Sequence, residues 1–205
     1  MQPAPFDVTY TVAAEHVDRI AIYNQRGTFA DLYARLDREG RTPAALINAG
    51  MLEPDLTPTG LLITGGTVVR DLNLAPGEGN FFMGERGVFC VSDAGARVVR
   101  VGDFSPDGVR CATQSGPLLV AASVVLAGDD WNHANSRSAV GVSADGSVTF
   151  VQSGSIGLRE FARRGREAGF VEMLYLDGGG YDQIAIPPCT FGPHAYAGII
   201  AVGGF

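Results

Sequence analysis

The sequence is short of charge. Charged residues make up 18% of its 205 positions against 46% hydrophobic, and the balance is acidic, at −7. A chain that tracks a nucleic acid needs a basic stripe, so no nucleic-acid partner is expected, although one local basic spot can still hold a single phosphate. Long apolar runs are missing too. The longest, PLLVAASVVLA (117–127), is too short to span a bilayer, so no membrane span is expected. The opening MQPAPFDVTY has neither the basic n-region nor the apolar h-region of a signal peptide. A cytoplasmic chain and a secreted or periplasmic one read after removal of its leader both fit that opening.

Cysteine is scarce. Cys90, Cys111 and Cys189 are widely spaced without a CxxC, which argues against a disulfide framework or a zinc knuckle. Packing thiols are the plain reading, with one bridge, Cys90 to Cys111, left open. His16, His133 and His194 show no metal-ligand spacing, and no metal or other cofactor is expected. Asp129 and Asp130 could join an oxygen-ligand site for a hard cation, but a solvated loop explains them as well. Neither a Walker A motif nor a G-x-G-x-x-G between strand and helix is present, so nucleotide-binding folds of those types find no support.

What is abundant is glycine. The 28 glycines are about twice the usual share, and they follow no repeat. They imply turns and surfaces where backbone is left bare. Between them, FDVTYTV (6–12) and VDRIAIY (17–23) read as strands, as does AALIN (44–48). Hairpins are expected at 61–70, turned by Gly65-Gly66, at 88–101 and at 139–152. The segment 115–126 reads as a long strand containing a turn, and 171–176, 183–186 and 197–202 complete the strands. Two helices stand out. TFADLYARLDREG (28–40) has a Thr28 cap with Asp31 three residues on, and Gly40 stops it. IGLREFARRGREAG (156–169) turns Leu158, Phe161, Ala162 and Gly165 inward and its arginines outward, a solvated face. Strands and helices do not alternate. The expectation is an α+β fold, one domain over 1–205, with a mainly antiparallel or mixed β-sheet and two principal helices.

Polar residues punctuate this pattern at strand ends, in INAGMLEPD (47–55), GEGNFFM (77–83), ATQSGPLL (112–119), NSRSAVGV (135–142) and LDGGG (176–180). Rigid strand ends present chemistry, and small residues let a ligand approach the backbone. Each segment also has a plainer reading. Asn48 and Asn80 can satisfy turns, Gln114-Ser115 can form a corner, Arg137 can pair a structural carboxylate, and Asp177 can cap a glycine turn. Ser115 does not sit in a G-x-S-x-G elbow.

Taken together and in order, NAGM…PDLTPTGL, GNFF…GVF, ATQSGPLLV, RSAVGV and YLDGGG resemble the phosphodiester glycosidase family, over roughly residues 6–203. The resemblance implies a hydrolase that cleaves a sugar-1-phosphodiester on the sugar side of the phosphate. Its substrate would be a small-molecule sugar phosphodiester or a nucleotide sugar. Many members carry Ser after DGGG where this chain has Tyr181, and GDDWNHA (128–134) is individual to this chain. In the chemistry this suggests, Arg137 grips the phosphate as a bidentate fork. Gly178, Gly179 and Gly180 offer backbone N–H groups to the same oxygens. Asp177 is the reacting carboxylate, Asp55 or Glu78 a second one, and Asn48, Gly50, Asn80, Gln114 and Ser115 line the substrate. Two rivals stand beside it: a non-catalytic module that binds a phosphorylated sugar or nucleotide, and a hydrolase using Ser115 or Cys111 as nucleophile with a histidine.

Overall fold

The computed structural model describes residues 5–181 and 183–203. In chain order the elements are β1 (Val8–Val12), β2 (Ile20–Thr28), α1 (Phe29–Arg38), β3 (Ala45–Asn48), β4 (Leu62–Thr64), β5 (Thr67–Arg70), β6 (Gly87–Ser92), β7 (Gly95–Arg100), β8 (Val109–Ser115), β9 (Leu118–Ala121), β10 (Val124–Val125), β11 (Asn135–Ser143), β12 (Val148–Ile156), α2 (Leu158–Glu167), β13 (Phe170–Gly178), β14 (Ile184–Ala185) and β15 (Ala195–Val202). They form three sheets, of six strands in the order β1-β12-β11-β13-β9-β10, four as β14-β3-β15-β2, and five as β5-β4-β8-β6-β7. The pairings described are antiparallel. The fold is α+β.

The three sheets share one interior. Ile22 of β2, Ile47 of β3, Leu62 of β4, Phe89 of β6, Val140 of β11, Phe150 of β12, Leu174 of β13 and Ile200 of β15 pack in a single cluster. Strand side chains alternate, so each sheet has a second face to cover. Helix α2 covers the six-stranded sheet through Leu158, Phe161 and Ala162, packed with Ala139, Val151 and Tyr175. Helix α1 covers the four-stranded sheet through Phe29, Leu32 and Leu36 against Leu46 and Ile199.

Both helices form where their sequences demand. Thr28 caps α1 in a full capping box, its hydroxyl accepting from Asp31 N at 3.1 Å while the Asp31 carboxylate accepts from Thr28 N at 3.0 Å. On the outer face of α2, Glu160 holds Arg163 and Arg164 at 2.7 and 2.9 Å, and Arg163 also pairs Glu167. The hairpin after β4 turns on Gly65 and Gly66 at φ +54° and +77°, the left-handed pair that only glycine adopts without strain.

One local expectation is corrected and two are made definite. Residues 14–19 form a 3₁₀ turn, and the strand that follows starts at Ile20 and runs to Thr28. In the stretch 115–126, Ser115 ends β8 and two paired strands, β9 and β10, follow, with Ala122 and Ser123 both at positive φ between them. Cys90 and Cys111 are free thiols. They sit on adjacent strands but pack in different clusters, Cys111 in the shared interior and Cys90 on the opposite side of its sheet, so their Cβ vectors cannot meet.

Candidate active site

The site is built where β11 and β13 end together. Their register pairs Ala139 with Tyr175, then Ser138 with Asp177, then Arg137 with Gly178. One step along β11 thus matches two along β13, and Leu176 is the extra residue of a β-bulge. A bulge re-aims the side chains beside it. Here it delivers Asp177, half-buried, at the last turn of the ladder before Gly178.

On one side of Gly178 lies Asp177. Its Oδ1 accepts the Gly178 N–H at 2.7 Å, which fixes the carboxylate. Asp177 borders a cavity of about 440 Å³ whose other wall is the loop Met51, Leu52, Glu53, Pro54 and Leu56. Beneath it, the Ser138 hydroxyl lies 3.0 Å from Asn48 Oδ1 and 3.2 Å from the Asp177 carbonyl. Asn48 is fully buried, yet its Nδ2 has no hydrogen-bond partner among the described residues. A buried amide left so costs about 1–3 kcal/mol.

On the other side lies Arg137, at 3% exposure. Its Nε donates to Ile156 O at 3.3 Å, Nη1 to the Tyr175 hydroxyl at 3.0 Å and Nη2 to His133 O at 2.7 Å. The Tyr175 ring centroid is 5.5 Å from the guanidinium. All these partners are neutral, and no carboxylate forms an ion pair with Arg137 among the described residues. A buried cation without a counter-charge is costly. Two of the guanidinium's five N–H donors also remain without an acceptor among the described residues. Arg137 borders a separate cavity of about 370 Å³, together with Asn80, Met83, Trp131 and His133.

Gly178 follows Asp177 in the chain and pairs with Arg137 across the ladder. A Cβ there would collide with the Tyr175 hydroxyl and the Ser136 carbonyl, and would sit 3.3 Å from Arg137 Nη1. Gly179 follows at φ +74°, and Gly180 packs 3.3 Å from the His194 ring, measured from the Cβ it lacks. The backbone of Gly179–Tyr181 makes a single 3₁₀ turn, while the Tyr181 side chain lies outside the described residues.

The other motif residues are stitched into the scaffold behind this pair. Gln114 Oε1 accepts from Leu61 N and Asn73 N, at 3.0 and 2.8 Å, and its Nε2 donates to Asn73 O at 2.9 Å. Ser115 Oγ donates to Leu176 O at 3.1 Å, anchoring the bulge. Thr113 Oγ1 donates to Ala49 O at 2.7 Å, and Gly50, at φ +81°, lets that loop pass close to β8. Asn80 is half-buried on the wall of the Arg137 cavity. Asp55 and Glu78 are exposed. The Thr57 side-chain and backbone hydrogen bonds hold the Asp55 carboxyl below the usual carboxylate range. Asp129 pairs with Arg159.

The nucleophile rival fails on this geometry. Ser115 is completely buried with its hydroxyl committed. Burial pushes the Cys111 thiol up to about 12, far from the thiolate that attacks. Ser138 and Tyr175 are residues of this cluster that sequence reading did not single out, whereas Trp131 and His133 belong to GDDWNHA, the segment it marked as individual to this chain. Ser138 directly follows Arg137 in NSRS, but only strand pairing shows that it bridges Asn48 to Asp177.

The sequence profile described as phosphodiester glycosidase matches residues 41–195. This chain belongs to the phosphodiester glycosidase family. It is 34% identical over 187 residues to the uncharacterized protein YigE of Escherichia coli (strain K12), covering 84% of this chain and 73% of that one. Its fold is similar to the zebrafish N-acetylglucosamine-1-phosphodiester alpha-N-acetylglucosaminidase catalytic domain, solved auto-inhibited by its pro-peptide. The TM-score is 0.69 at 14% identity, covering 92% of this chain and 74% of the other. It is also similar to a putative exported protein from Burkholderia pseudomallei K96243, with a TM-score of 0.56 at 14% identity over 95% and 73% of the chains. At such identity these two likenesses concern the fold alone.

Proposed function

We propose that this phosphodiester glycosidase hydrolyses the bond between a sugar and the phosphate of a glycosyl-1-phosphodiester, with the phosphate over Arg137 and the sugar beside Asp177. The observation that carries this reading is Arg137: a buried cation with spare donors, no carboxylate partner among the described residues, and a cavity in front of it. An anion with paired oxygens is what such a fork accepts best. Gly179 and Gly180 add backbone N–H groups, since the Gly178 N–H is already taken by Asp177.

The chemistry balances with one carboxylate. Asp177 accepts a proton from water as its oxygen attacks the anomeric carbon. The anomeric C–O bond breaks, and its electron pair leaves with the phosphate. The departing phosphomonoester has a second pKa of about 6, so it needs no proton donor, unlike a sugar alkoxide. Asp55, kept ionised by Thr57, would act as a carboxylate and not as an acid. Asn48 is completely buried and lines neither cavity, so it would act from behind the carboxylate, through the Ser138 hydroxyl.

The test is product analysis by mass spectrometry on a panel of sugar-1-phosphodiesters and nucleotide sugars. Wild type is expected to release free sugar and a new phosphomonoester, and Asp177→Asn to lose about a hundredfold or more in rate. Full activity in Asp177→Asn, or no release by wild type from any member of the panel, would sink the proposal.

A further inference from the structure

The Arg137 cavity carries more than a phosphate site. Its walls include Trp131 and Met83, both packed against the apolar layer under α2. Trp131 is the chain's sole tryptophan. Its indole lies over Gly84, where a Cβ would collide with it, so this loop and the one that carries Asn80 close on each other through that ring. The charge count in the cavity is equally specific. Among the described residues that line it, Arg137 is the one guanidinium or ammonium, and the exposed Asp130 lines it too, from the same loop as Trp131. Asp129 is paired with Arg159, whereas Asp130 has no ion pair among the described residues.

We infer that Trp131 and Asp130 form the leaving-group subsite. Trp131 stacks on a neutral ring attached to the phosphate, and the single arginine opposed by Asp130 selects one negative charge. The preferred leaving group is then the monoester of a neutral, ring-bearing alcohol. Pyrophosphates and terminal phosphates bring a second charge that has no cation to meet it and a carboxylate to repel it. This rests on the proposal that the phosphate docks on Arg137, but not on the role of Asp177.

The sole tryptophan makes the test direct. Three inert probes separate the terms: phenyl methyl phosphate (one charge, one ring), dimethyl phosphate (one charge, no ring) and phenyl phosphate (two charges, one ring). Each is titrated into the full chain at about pH 8.5, above the imidazole range, following Trp131 fluorescence and, in parallel, calorimetry. Phenyl methyl phosphate is expected to change the fluorescence saturably and to bind about tenfold more tightly than either other probe. Trp131→Ala should remove the ring preference by calorimetry, and Asp130→Asn should raise phenyl phosphate affinity about threefold, leaving the monoanion nearly unchanged. Equal binding of ring and ringless diesters, a preference for the dianion, or no fluorescence response would overturn the inference. Sugar release in the product assay with no ring preference here would defeat the subsite and leave the hydrolase standing. Ring-selective binding with no sugar release from any diester would do the reverse.

Discussion

At the scale of single residues, function and scaffold are divided within the same motifs. In NAGM, Asn48 faces the Ser138 hydroxyl with a spare donor, while Gly50 exists to let β8 pass. In ATQSGP, Gln114 and Ser115 spend their hydrogen bonds on backbone. At the strand ends, Asn48 and Arg137 keep hydrogen-bonding capacity that the described protein does not exhaust. Ser138 is the sharpest case, since it touches Asn48 and Asp177 but lines neither cavity. Ser138→Ala should therefore lower kcat about tenfold while KM moves little, at a stability cost of about 1 kcal/mol. An unchanged kcat would mean that the hydroxyl only fills space. Loss of folding, seen as a lost cooperative melt, would leave the question to Ser138→Thr, which keeps the hydroxyl and should restore most of the rate.

At the scale of elements, the bulge at Leu176 and the turn after it matter more than any helix. A regular strand would leave Asp177 on the face opposite Leu176. The extra residue pairs it with Ser138 instead. The helices are buttresses, and α2 also carries an acid-sensitive device of its own. Hydrogen bonds from Arg163 and Arg164 lower the Glu160 carboxyl from 4.5 to about 2. A depressed folded value contributes stability above the unfolded one, and that contribution is lost as pH falls through the folded value. The loss should thus run from about pH 5 down to about pH 2. Because the pairs are exposed, solvent screens them and the effect is modest. Melting temperature measured over that window should fall less steeply in Glu160→Gln than in wild type. Parallel curves would show that these pairs contribute nothing to the folded state.

At the scale of the whole molecule, three sheets around one interior decide which groups are reachable. Cys90 and Cys111 are buried and Cys189 is exposed. Burial raises both interior thiols, Cys111 to about 12. Ellman's reagent at about pH 8 should therefore label one thiol quickly in the native protein and three after denaturation. Rapid native labelling of a second would contradict the packing of β6 and β8.

The amino-acid order alone determined most elements and the family, because both rest on local patterns. Amphipathic spacing and the Thr28 capping box marked α1, paired glycines marked the β4–β5 turn, and LDGGG marked the end of β13. Strand β8 was legible only as a motif, since its almost complete burial erases the alternation that reveals a half-exposed strand. The three-sheet arrangement, the register that sets Arg137 beside Gly178 and Ser138 beside Asp177, and the packing of Trp131 on Gly84 were decided by tertiary structure. Residues 48, 138 and 177 are far apart along the chain, and residues 137 and 138 are adjacent yet serve different sides of the site. Periodicity reports which face a residue takes within its own strand. Which strand lies beside it, and in what register, is set by long-range pairing and by the packing of all three sheets at once.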